Sequence, residues 1–259
     1  MGTTSISFFR FGGWRGRLWA FSQMSLARAP LSRTEGLGFF KLFGTGGGES
    51  FRARPNPGVW AVLATWPDLQ RARSAQAEAG VFRRYRAVAD ETYSVYLEAV
   101  SIRGQWDGRQ PFDIAERPLG CPFAVLTRAT VKPSKALAFW KDAPDIDAQT
   151  AREPALLFKR GMGEMPFLRQ VTFSIWSDLE AMKTFAYRHP FHRDAARQAR
   201  ERNWFSEELF ARFAVLGTEG SWEGSDPVGA ALAATASAPS AAPRSQPILV
   251  PSPALEPQA

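Results

Sequence analysis

Both histidines of this 259-residue chain, His189 and His192, fall in one stretch, residues 186–205 (AYRHPFHRDAARQARERNWF). Imidazole titrates near neutral pH and ligates metals well, so any chemistry that needs it is confined to this stretch. The rest of the inventory limits which chemistry that is. One cysteine, Cys121, excludes an intramolecular disulfide, a Cys-rich zinc site and cluster ligation. Two histidines cannot build a multi-histidine non-haem iron site. Pro190 between them also distorts a facial triad of His189, His192 and Asp194. No G-x-S-x-G elbow is present, and the glycine run at 44–48 matches neither a P-loop nor a dinucleotide fingerprint. A haem asks for less: one strong ligand, an apolar slot, and basic groups for its propionates. His192 can supply the ligand, 20 Phe and nine Trp the slot, and Arg193 and Arg197 the propionate partners. His189 and Cys121 are rival axial ligands. Cys121, at a strand start before Pro122, reads as a buried, inert thiol.

These residues need a scaffold. Pro190 disfavours helical geometry at His189 and cannot donate to the Ala186 carbonyl, so the helix should break there. A helix restarting at Pro190 puts Phe191, His192, Ala195, Ala196 and Ala199 within an arc of about 140°. Arg193, Arg197 and Arg200 flank that arc, where guanidiniums can meet carboxylates.

Runs of β-branched and aromatic residues between turn signals predict strands at 5–10, 38–43, 59–66 and 93–102. The set recurs at 122–131, 155–160, 170–176 and 208–216. Between strands lie a helix at 15–29 stopped by Pro30, a long helix from Asp68 to Asp90, a short one at 133–141, and a long one from Asp178 to Trp204. Three landmarks mark a duplication. Trp66-Pro67-Asp68-Leu69 matches Trp176-Ser177-Asp178-Leu179, and Gly104-Gln105-Trp106-Asp107-Gly108 matches Gly220-Ser221-Trp222-Glu223-Gly224. The third is Gly44-x-Gly46 against Gly161-x-Gly163. Each half reads βαββαβ, so the expected class is α+β. Two tandem ferredoxin-like halves, 1–110 and 111–224, would form a dimeric-α/β-barrel-like domain with a pocket between sheet and helix. Aligning Trp66 with Trp176 sets Phe82 against His192: one half has an aromatic where the other has a ligand-capable ring.

From 225 to 259 the chain turns to Ala, Pro and Ser, a composition that cannot offset the entropy of ordering, and is expected to be disordered. The formal charge of +7 suits an acidic partner or an anionic membrane surface. No nucleic-acid-binding motif accompanies it, and no nucleic-acid partner is expected. With no signal peptide and no long apolar run, the chain reads as cytoplasmic, peripheral to a membrane at most.

Several strings, FFKLFGTGGGESF, VWAVLATWPD, DETYSVYLEAVSIRGQWDGRQPF, AVLTRAT and FHRDAARQARERNWFSEELFARF, resemble the spheroidene monooxygenase family across nearly all of 5–224. That resemblance implies a haem-dependent oxygenase that takes electrons from reduced ferredoxin. Its reaction uses O2 to convert the C2 methylene of spheroidene-type acyclic carotenoids to a ketone. The family motifs assign no ligand, and His192 rests on the residues above. A haem lyase or dehydratase on a related barrel, and a haem or carotenoid carrier, are the alternatives.

Overall fold

The computed structural model describes residues 2–46, 55–117, 119–120, 122–142, 153–165, 167–185, 197 and 201–237. Eight strands run in chain order: β1 (Thr3–Arg10), β2 (Phe40–Gly46), β3 (Pro55–Trp66), β4 (Glu91–Gly104), β5 (Phe123–Val131), β6 (Leu156–Met165), β7 (Arg169–Trp176) and β8 (Phe205–Gly220). They close into an antiparallel barrel in the order β1-β3-β2-β6-β7-β5-β8-β4. Closure removes the unpaired edges that an open sheet would expose. The first four strands are arranged β4-β1-β3-β2 and the second four β8-β5-β7-β6, the same order twice. Two seams join the halves. Gly44 pairs with Gly163 across β2 and β6, and Glu98 pairs with Ala214 across β4 and β8. At each seam the paired residues are counterparts in the repeat, so a pseudo-twofold axis passes through both.

Alternation along the strands sends every second side chain inward. Ile6, Phe8, Phe43, Leu63, Val95, Leu126, Phe173 and Phe213 fill the barrel. The interior is therefore packed rather than hollow, and a long ligand cannot thread it.

Helices α1 (Trp14–Leu26), α2 (Arg28–Ser32), α3 (Leu69–Glu78) and α4 (Gly80–Val88) cover the outside of the first half. Over the second half the described helices are α5 (Ala136–Asp142) and α6 (Leu179–Lys183). A last helix, α7 (Gly229–Ser237), follows β8. Asp68 and Asp178 cap α3 and α6 as expected, accepting from the amides of Arg71 (2.7 Å) and Ala181 (2.6 Å).

Several expectations need correction. The helix from Asp68 is two helices, because Ala79 is extended (φ −65°, ψ 132°) and re-aims α4. Pro30 does not end the first helical region: it sits in the first turn of α2, where a missing N–H costs nothing. Disorder does not begin at 225. Asp226 accepts from the Tyr93 and Thr218 hydroxyls, Val228 is fully buried, and Leu232 packs on the barrel core. These few anchors order a stretch whose average composition is that of an unfolded chain. Residues 238–259 lie outside the described residues. The glycine landmark is also shifted by two: Lys41 pairs with Leu63 and Arg160 with Phe173, which makes Gly44 the counterpart of Gly163.

Both barrel ends are closed by the Gly-x-Trp-x-Gly hairpins. In each, the residue after Trp is left-handed (Asp107 φ 51°, Glu223 φ 59°) and glycines at φ 88° and 87° open the turn. A Cβ on Gly104 would stand 2.1 Å from the Glu208 carbonyl, so only glycine fits. Glu207 accepts from the amides of Asp107 and Gly108, and its counterpart Glu91 accepts from the Gly224 amide and the Ser221 hydroxyl.

Candidate functional site

The most buried charged side chain of the described residues, Arg128, lies in an ion cluster at one end of the barrel, and a second cluster lies at the other end. Arg128, 1% exposed, is bonded to Glu207 and lies 3.4 Å from Asp107 and 3.8 Å from Glu164, with Trp106 packed against its guanidinium. Lys41 joins Asp107 and Glu164. Burial would raise the carboxyl groups of Asp107 and Glu207. Lys41, Arg169 and Arg128 outweigh burial for Asp107, and backbone amides together with Arg128 do so for Glu207, so both sit below the usual range. At the other end, burial acts the same way on Glu91. The Gly224 and Glu223 amides, the Ser221 hydroxyl and Arg10 hold it low. Opposite charges paired in this way tie the hairpins to the barrel ends.

The outer face of the second half is different. Register defines its rows across β6, β7, β5 and β8: Lys159–Ser174–Val125–Arg212, then Gly161–Thr172–Thr127–Phe210, then Gly163–Gln170–Ala129–Glu208. The corresponding first-half rows are Phe40–Ala64–Ser5–Tyr96, Leu42–Val62–Ser7–Ser94 and Gly44–Trp60–Phe9–Thr92. Leu42, Val62, Phe9 and Trp60 are buried under the first-half helices, whereas their counterparts are Gly161, Thr172, Ala129 and Gln170. Val125, Thr127, Ala129, Thr172, Ser174 and Arg212 are all only half-buried.

The first half also shows what the missing bulk does. Phe9 stacks on Tyr85 of α4 with ring centroids 4.7 Å apart, and Tyr85 meets Trp19 of α1 edge-on at 5.2 Å. Burial pushes the Tyr85 phenol well above its ordinary value. The repeat sets Ala129 opposite Phe9 and Ala195 opposite Tyr85, so two rings of that stack have no counterpart. Aromatic side chains bury roughly 150–250 Å² each. The sheet of the second half therefore offers far less aromatic surface at this site, Ala129 standing where Phe9 stands in the first half. Phe82, fully buried 6.2 Å from Trp66, occupies the position that the alignment gives to His192.

His189, His192, Arg193 and Cys121 themselves lie outside the described residues. Arg197 is exposed, its Nε 3.8 Å from a Glu201 carboxylate oxygen. Among the described residues no three His, Cys, Asp or Glu side chains converge to hold a metal ion. Two cations on the second face, Lys159 and Arg212, escaped sequence reasoning. Both sit on strands, and only the register shows that they share one row.

No family model matches the chain. A spheroidene monooxygenase from Cereibacter sphaeroides is 44% identical over 249 residues, covering 95% of this chain and 76% of that protein. One from Rhodobacter capsulatus is 46% identical over 231 residues, covering 88% and 96%. Among solved structures, an aldoxime dehydratase superposes with a TM-score of 0.55 at 12% identity over 83% of this chain and 81% of that one, a likeness of fold. The duplicated barrel and its emptied second face are thus found in a chain that belongs to the spheroidene monooxygenase family.

Proposed function

We propose that this protein is a haem-dependent carotenoid monooxygenase that makes a ketone at C2 of spheroidene-type acyclic carotenoids, using O2 and reduced ferredoxin. The observation that carries the haem reading is the emptied face: Gly161, Thr172 and Ala129 stand where the first half has Leu42, Val62 and Phe9. We read each half as a ferredoxin-like unit on the strength of its strand order, with the cofactor between the second sheet and the segment carrying His192.

The residues present fit the group. Small side chains on the sheet admit a flat macrocycle, and Lys159 and Arg212 lie in one row where propionates can reach cations. His192, at the counterpart of a buried ring, would be the axial ligand, with Arg193 and Arg197 nearby in sequence. When bound, the haem supplies O2 activation and removal of hydrogen from C2. Each round consumes one O2, two electrons and two protons and releases water. The second hydroxylation gives a geminal diol, which loses water to the ketone. The chain's part is to position and to exclude: the packed barrel denies the polyene a path through the core, so C2 must approach along the second outer face.

Purified protein should show a Soret band, and His192→Ala should abolish it while His189→Ala leaves it in place. An unchanged spectrum in His192→Ala sinks the ligand assignment. Ketone formation under strict anaerobiosis would instead favour chemistry without O2.

A further inference from the structure

Helix α1 carries apolar side chains on both of its sides. Ala20 and Gln23 face the core, yet Trp14 is 70% exposed, Leu18 61% and Phe21 65%. At 100° per residue these three, with Ser25, fall within an arc of about 60° on the outward face. Phe21 touches Trp60 only edge-on, at 6.2 Å. Leu26, 64% exposed, extends the surface at the end of the helix. Isolated exposed apolar residues are ordinary on a protein surface, but a contiguous stripe headed by a tryptophan is not.

Within the N-terminal segment that carries the stripe the charge is of one sign, with the Asp90 carboxylate bonded to the Gly12 amide at its edge. Residues 1–34 contain Arg10, Arg15, Arg17, Arg28 and Arg33 and no Asp or Glu. Arg15, Arg17, Arg28 and Arg33 are exposed. Among the described residues Arg15, Arg28 and Arg33 form no ion pair: Arg15 lies over the Trp14 ring, and Arg28 donates to the Met24 carbonyl. A second copy of this chain is a poor occupant, since a twofold contact would set arginines against arginines. The stripe from Trp14 to Phe21 also spans only about 10 Å, too little for the roughly 800 Å² per partner of a stable protein interface. An interfacial helix needs what is present: Trp, Leu and Phe to enter the acyl boundary, and arginines to meet anionic headgroups. No described helix is long and apolar enough to cross a membrane, so contact through α1 would be lateral.

We propose that the outward face of α1 is a docking surface for an anionic lipid bilayer. The inference deepens the carotenoid reading, because a lipid-dissolved polyene must be reached where it resides, but the surface stands on its own observations. The test is flotation of the purified full chain with vesicles of phosphatidylcholine, with and without phosphatidylglycerol. Wild type should float with the anionic vesicles and not with the neutral ones. Leu18→Asp/Phe21→Asp and Arg15→Glu/Arg28→Glu should each lower binding by about tenfold or more, with circular dichroism and Tm unchanged. Absence of wild-type binding, or retention of full binding by Leu18→Asp/Phe21→Asp, overturns the proposal. So does a surface that ignores vesicles but binds an acidic ferredoxin through the arginines alone. Turnover of detergent-dispersed carotenoid separates the two readings. A protein that floats yet never oxidises carotenoid loses its catalytic assignment and keeps its docking face. One that oxidises dispersed carotenoid without floating does the reverse.

Discussion

The two outer faces of the barrel share one backbone plan and have opposite fillings. On the first, Phe9, Leu42, Trp60 and Val62 meet Phe82 and Tyr85 from α4 in a closed core. On the second, the same sites carry Ala129, Gly161, Gln170 and Thr172, half-buried apart from Gly161. The contrast teaches how a site can be made by subtraction. A fold whose first face is filled by bulky side chains can carry small ones on the other, and a group bound there would supply the missing burial.

The sharpest way to break this contrast is to treat the faces alike. Phe82→Ala should destabilise the protein by about 3–5 kcal/mol in chemical denaturation, since a fully buried ring leaves a cavity. Thr172→Ala, on the opposite face, should change stability by no more than about 1 kcal/mol. Equal losses would mean that the second face is as tightly packed as the first.

Refilling the second face is the converse. Ala129→Phe restores the first-half residue at that site, and it should weaken haem binding at least tenfold, read as the Soret absorbance per protein on titration. Circular dichroism should stay native. Unaltered haem binding in this variant would rule out a haem packed against Ala129.

The barrel ends offer a finer comparison. Trp106 Nε1 donates to Glu164 at 2.8 Å, whereas Trp222 Nε1 is buried with no acceptor among the described residues. The reason lies in the repeat: Glu164 corresponds to Thr45, whose hydroxyl bonds the Val59 carbonyl instead. Trp106→Phe should therefore cost about 1–3 kcal/mol more than Trp222→Phe, because it strips a buried carboxylate of a donor. Similar costs would show that the indole hydrogen bond adds nothing.

Smallest is the effect of acid. The carboxyl groups of Glu91, Glu207 and Asp107 titrate below their ordinary values in the folded chain, so the unfolded chain binds more protons as pH falls. Their stabilisation is complete above the unfolded values near pH 4 and fades as pH drops through the lower folded ones. Tm should be level above about pH 5 and decline below about pH 4, and Glu91→Gln and Glu207→Gln should each make the decline shallower. A decline of the same steepness in both variants would mean that the hairpin carboxylates are not its source.

Much of this architecture was legible because local rules act through neighbours in the chain. Trp66 and Trp176 sit at equivalent register positions, opposite Thr3 and Phe123, and the two Trp hairpins superpose in the backbone angles of their flanking residues. Asp68 and Asp178 cap helices for the same local reason. What failed was non-local. The register of β2 and β6 is fixed by their pairing at the seam, which the glycine pattern alone placed two residues away. Arg128 lies on an inward position of β5, its counterpart Phe8 inward on β1, and alternation could not say that a guanidinium would be neutralised there by three carboxylates from distant segments. For His192, which lies outside the described residues, the repeat offers a reference in Phe82, a fully buried ring at the aligned position.

The self-paired seams carry a consequence for symmetry. Gly44 against Gly163 and Glu98 against Ala214 are the contacts a twofold dimer would make with itself, here joined within one polypeptide. In a true dimer each substitution appears twice, so hollowing one face would hollow both and double the loss. A single chain is free of that arithmetic: one lobe can remain a rigid foundation while its twin drifts toward binding, and the asymmetry between them is what the fusion makes available.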